Sequence, residues 1–270
     1  MFEWTFPGTF WHKALWLNVL DDIEPSVFYD GVNCCSWNGG RLNVFGNLWD
    51  DEIAKKFYLE GHRIALTFSN SEIDTEDILG NELLENLSKV DGNQVILKNE
   101  KLRQYIDRNF SNLIKVLSVT GTQSTYSKMW YEDALSKYDI IVPRFSHLAN
   151  LSKDFSKRIL GRFEVMVNHI CPLNTPICEA HYAEIERMNR EGNTSDVYLN
   201  KTIDCRMSDE RTEDLRESMD VLGNVGKAVA LGFNRFKLAG RELPIEFLKY
   251  QYGQIEHLVR RKKNEILYEN

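Results

Sequence analysis

The sequence predicts an α/β fold closed as a TIM-like barrel, irregular or incomplete, in a single domain. Three observations carry that expectation. Short apolar, β-branched runs recur along the chain with amphipathic segments between them. Several runs are apolar on successive residues, the pattern of strands covered on both faces of a parallel sheet. No Gly-x-Gly-x-x-Gly follows the first run, which weighs against the competing doubly wound dinucleotide fold.

The elements follow in order. Strands are predicted over 27–32, 63–69, 94–97, 114–120, 139–144, 163–168 and 235–240. Helical periodicity fills the gaps at 51–60, 76–88, 101–110, 131–137 and 153–161. Such βαβα alternation closes naturally as a barrel. The stretch 183–220 fits the rhythm poorly. A helix over 183–190 and another over 211–221 leave room for one more strand, the seventh in order. The chain ends in a long helix over 245–269, apolar at Phe247, Leu248, Tyr250, Ile255, Leu258 and Val259. Its basic run, Arg260 to Lys263, suits a solvated helix end; RNA contact is the other reading. The aromatic N-terminal segment 1–20 is expected to cap the barrel floor or to form an interface. Nothing divides the 270 residues, so 1–270 is one domain.

Composition narrows the function. A net charge of −7 argues against broad binding to nucleic acid or an anionic membrane. No run of about 18 apolar residues offers a membrane span. The N-terminus lacks the basic region and cleavage site of a signal peptide, which points to a cytoplasmic, reducing location. Five cysteines, an odd number, fit free thiols or metal ligands better than disulfides.

Chemistry concentrates between residues 163 and 182. A strand pattern there runs into a loop with His169, Cys171, Pro172, Pro176, Cys178 and His181. Loops after barrel strands are where reactive groups gather.

This segment, VN-x-x-C…C-x-x-HY, and the FKLAGRE segment at 236–242 resemble the peptidase U32 family. Further matches are Gly39-Gly40-Arg41, the FSN of 68–70, the stretch 95–122 and DIIVPR at 139–144. They keep one order along nearly the whole chain. The resemblance implies an α/β barrel. It also implies an iron–sulfur protein supporting oxygen-independent hydroxylation of an aromatic or nucleobase substrate, with collagenase-type peptidase activity associated with some members. Cys171 and Cys178 match the family's pair after the mid-barrel strand. Its downstream cysteine-rich element is reduced here to Cys205.

A 4Fe-4S cluster takes four thiolates. Cys171, Cys178 and Cys205 supply three, and Cys34 or Cys35 the fourth. Zinc with His169 or His181 is one alternative, and no metal is the other. His169 is also a candidate general base, with Glu164 or Asp30 as inward carboxylates. Arg144, Asn168, Lys237 and Arg241 are candidates to bind an anionic or polar substrate. Tyr29, Trp37, Trp49, Tyr126 and Trp130 are candidates to line an aromatic pocket. Two further expectations stand beside the redox enzyme. One is a metal-independent hydrolase or peptidase-like enzyme on the same barrel. The other is a noncatalytic scaffold with a protein partner or a homo-oligomer.

Overall fold

The computed structural model describes residues 2–32, 35–39, 48–168, 176–191, 220–240 and 244–261. Eight strands form one sheet: β1 (Glu3–Pro7), β2 (Val27–Asp30), β3 (Arg63–Phe68), β4 (Gln94–Leu97), β5 (Ile114–Leu117), β6 (Ile140–Ile141), β7 (Glu164–Met166) and β8 (Arg235–Lys237). Their order is β6-β5-β4-β3-β2-β1-β8-β7, and every pairing is parallel. The two edges meet at a parallel bridge between Ile141 and Phe163, where Ile141 N donates to Arg162 O at 2.9 Å. The sheet is thus a nearly closed TIM-like barrel.

The helices are α1 (Lys13–Trp16), α2 (Asp51–Leu59), α3 (Ile78–Ser88), α4 (Glu100–Asn109), α5 (Lys128–Lys137), α6 (Leu148–Asp154), α7 (Lys157–Leu160), α8 (Pro176–Arg190), α9 (Val221–Ala230) and α10 (Ile245–Val259). Short polar side chains start many of them. Asp50, Asp77, Asn99, Ser127 and Asp220 each accept from a backbone N–H in the first turn of α2, α3, α4, α5 and α9. Each such cap is worth about 1 kcal/mol.

Alternation along the strands sorts side chains into two layers. Phe6, Phe28, Ile64, Leu66, Phe68, Val95, Leu97, Val165 and Phe236 face outward into the main core under the helices. Tyr29, Ala65, Ile96, Val116, Ile140 and Val142 form a separate cluster inside the bore.

The structure corrects several expectations. The N-terminal segment, expected as a cap, supplies β1, which pairs with β2 on one side and β8 on the other. After it, Gly8 turns the chain at φ +81°, and a Cβ there would meet the His12 ring at 2.5 Å. The helix expected over 153–161 is two short ones, α6 and α7. The C-terminal helix ends at Val259. Arg260 pairs with Ile23 in an antiparallel bridge, and Arg261 donates to Asp22 O, Ile23 O and Glu60. The first half of the basic run is therefore no helix end. Among the described residues, no helix is long and apolar enough to cross a membrane.

Candidate active site

Among the described residues, the bore holds one buried ion pair. Lys237 on β8 and Glu164 on β7 both point inward because their neighbours Phe236 and Val165 pack outward. Lys237 Nζ lies 3.3 Å from Glu164 Oε2, with side chains 4% and 1% exposed. The alignment is that of an ion pair without a directed hydrogen bond, since Oε2 accepts none. Thr5 Oγ1 donates to the other oxygen, Oε1, at 2.5 Å. The ammonium also sits 4.1 Å from the centre of the Tyr29 ring, a cation–π contact strengthened by burial. Four strands thus converge on one charge pair: β1, β2, β7 and β8.

Other predicted residues serve the frame. Asp30 does not join Glu164 inside the bore. Its Oδ2 accepts from the backbone N–H of Phe10 and Trp11, and Oδ1 from Gly31, so it folds the loop after β1. Asn168 donates to Ala239 O and Gln251 Oε1, and accepts from Ala239 N at 2.6 Å. It thereby ties the end of β7 to the end of β8 and to α10. Arg144 is 6% exposed, and its Nε donates to Thr122 O and Gln123 O, clamping the loop after β5.

Next to Arg144, Tyr131 and His147 form a hydrogen-bonded pair at 2.8 Å, and His147 Nε2 meets Ser124 O at 3.0 Å. A carbonyl only accepts, so Nε2 carries the proton and Nδ1 accepts from the tyrosine. Burial lowers the His147 pKa, which keeps the ring neutral.

Helix α8 docks on the C-terminal rim. Glu186, 1% exposed, accepts from Ser71 and from Lys98 on the extension of β4. Asn189 donates to Asn38 O, and Arg190 to Asn70. These contacts join positions 71, 98 and 186, and no sequence pattern announces them. Thr5 was missed for another reason: its strand was not recognised, although EWTFP alternates polar and aromatic residues.

Of the aromatic candidates, Tyr29 alone lies in the bore cluster. Trp37 packs against α3 at Gly80, Trp49 against Phe10, Tyr126 bonds Asp154, and Trp130 rests on Tyr131. Gly39 approaches Ser69 so closely that a Cβ would stand 2.5 Å from its backbone.

Among solved structures, that of the U32 peptidase Mk0906 aligns with a TM-score of 0.53. The alignment covers 90% of this chain and 94% of that one, at 17% identity. The fold is U32-like. An orotidine 5′-monophosphate decarboxylase from Sulfolobus solfataricus aligns at a TM-score of 0.38 and 12% identity, over 94% of this chain and 97% of its own. A GH36 α-galactosidase from Geobacillus stearothermophilus also reaches 0.38, at 9% identity over 94% of this chain and 41% of its own. These two are too distant to carry an argument. No protein-family model matches the chain, and no curated protein matches it.

In this U32-like barrel, Cys34, His169, Cys171, Cys205 and Arg241 lie outside the described residues. Cys178 falls in the first turn of α8, where only the backbone is described. Cys35 is fully buried in the main core, and burial pushes its thiol up to about 12. It behaves as a small apolar side chain. Among the described residues, no group of three or more His, Cys, Asp or Glu side chains converges as a metal site.

Proposed function

We propose that this U32-like barrel is an iron–sulfur-dependent modifying enzyme. Its reaction is oxygen-independent hydroxylation, or related redox chemistry, on an aromatic or nucleobase substrate at the C-terminal mouth. The observation that carries this reading is the anchoring of the chain on both sides of residues 169–175. Asn168 fixes the end of β7, and α8 is held on the rim through Glu186. His169 and Cys171 fall between these two anchors in the sequence, and Cys178 falls in the first turn of α8. With Cys35 committed to the core, the candidate ligands are Cys34, Cys171, Cys178 and Cys205, the four thiolates a cubane requires. A bound cluster supplies one-electron chemistry. Lys237 would bind a polar group of the substrate, and Glu164 would orient it.

The test is anaerobic purification with assay of iron and acid-labile sulfide. The wild type is expected to carry about four irons per chain. The Cys171→Ser/Cys178→Ser variant is expected to fold and to lose them. Wild-type iron in that variant, or an iron-free wild type after reconstitution, overturns the proposal.

A second reading is favoured by the buried pair itself. Glu164, Lys237, Thr5 and Tyr29 form an acid–base cluster that needs no metal. With His169 it would suit a metal-independent hydrolase or lyase. Activity that survives replacing all five cysteines by serine would select this reading.

A further inference from the structure

The barrel is also open at its N-terminal end. A pocket of about 250 Å³ lies where β1, β2, β3 and β8 begin. Thr5 both lines it and donates to Glu164, so the pocket lies directly beneath the buried pair. The aromatic N-terminus expected to close this floor is occupied in forming β1 instead.

Two arginines stand in the wall, Arg63 from β3 and Arg235 from β8. Backbone carbonyls orient both. Arg63 donates from Nε to Asp91 O at 2.7 Å and from Nη1 to His62 O at 2.9 Å. Arg235 donates from Nε to Gly161 O at 3.2 Å. Carbonyls fix a guanidinium without cancelling its charge. The acid in the wall is Glu3, half exposed and paired with Arg235 at 2.5 Å. One cation therefore remains uncompensated by the wall.

We propose that this N-terminal mouth is a binding site for a small oxyanion of the phosphate or carboxylate type. Arg63 is its principal cation. Glu3 competes with the ligand for Arg235 and so limits affinity. This site is separate from the C-terminal mouth and does not depend on the cysteines.

The experiment titrates the purified full chain with inorganic phosphate and, separately, with acetate. Chloride at equal ionic strength is the control, and thermal unfolding the readout. The preferred anion at about 100 times its Kd is expected to raise Tm by about 5 °C. The two arms show whether a tetrahedral or a planar oxyanion is preferred. Glu3→Gln is expected to tighten binding several-fold, and Arg63→Met to abolish it. Far-UV circular dichroism in chloride reports whether each variant folds. If Arg63→Met does not fold, the tightening expected of Glu3→Gln decides. Equal Tm in all three salts, or a response unchanged by Glu3→Gln, overturns the proposal.

Discussion

The two faces of the sheet solve different problems. The outward face is mostly apolar and packs ring on ring: Phe6 lies 5.3 Å from Phe28, and Phe28 lies 4.7 Å from Phe57. The buried carboxylate on it, Asp30, is satisfied by backbone N–H groups, so most burial there is gain without a matching polar cost. The inward face mixes Ala65, Ile96 and Val116 with a lysine, a glutamate and hydroxyls. Burying those groups costs stability that an apolar filling would not. The outer layer holds the barrel together, and the inner layer departs from the cheapest packing. Such departures are expected where a fold serves chemistry.

The sharpest way to break this contrast is to remove one partner of the ion pair. Lys237→Met leaves Glu164 buried without its cation, and is expected to lower stability by about 3–5 kcal/mol. The double variant Glu164→Gln/Lys237→Met is expected to recover most of the loss, because no buried charge remains. Urea unfolding of the wild type, both singles and the double closes the cycle. Additive losses would mean that the two side chains do not interact. An outward-face change such as Ile64→Val, in contrast, costs about 0.5–1.5 kcal/mol through lost packing alone.

How much of this was legible in the sequence follows from the same two layers. The predicted strands beginning at Val27, Arg63, Gln94, Ile114 and Arg235 start where β2, β3, β4, β5 and β8 do, because strands covered on both faces leave unbroken apolar runs. β1 escaped because its partners β2 and β8 lie remote in sequence and its residues are aromatic rather than β-branched. Lys237 and Glu164 stood out as charges within apolar stretches. Asp30 stood out equally, yet it faces the other way. Which parity points inward depends on register, and register is set by pairing partners. The Glu186–Lys98 contact spans 88 positions, and only the closed barrel brings them together.

A smaller effect comes from the two histidines that hold opposite ends of the barrel. His62 Nδ1 accepts from Ser26 N, and Nε2 faces Leu20 O, so it is a neutral ring like His147. Burial lowers the pKa of both below the ordinary value of 6.5. As pH falls through that value, the unfolded chain takes up protons that the folded chain refuses. Stability present above pH 6.5 is then lost on acidification, by at most about 1.4 kcal/mol per pH unit for each histidine. Glu100, held near 2 by its hydrogen bonds from Arg103, stays charged in both states until about pH 4.5. The window from 6.5 down to 5 therefore isolates the histidines. Urea midpoints across it are expected to fall for the wild type. The fall should be shallower in His62→Gln and His147→Gln, and an unchanged slope in both would assign the loss elsewhere.

The smallest effect has the opposite sign. Thr67 alternates with Ala65 on the inward face of β3, and its Oγ1 is buried without a hydrogen-bond partner. An unpaired buried hydroxyl costs about 1–3 kcal/mol relative to a satisfied one. Valine keeps the branched shape and removes the oxygen. Thr67→Val is therefore expected to stabilise the barrel by about 1 kcal/mol, read as a rise in Tm of about 2–4 °C. The same exchange on the outward face would have nothing to relieve. A gain in Tm would locate part of the bore's cost in this one hydroxyl, and a loss would mean that the hydroxyl is satisfied by ordered water.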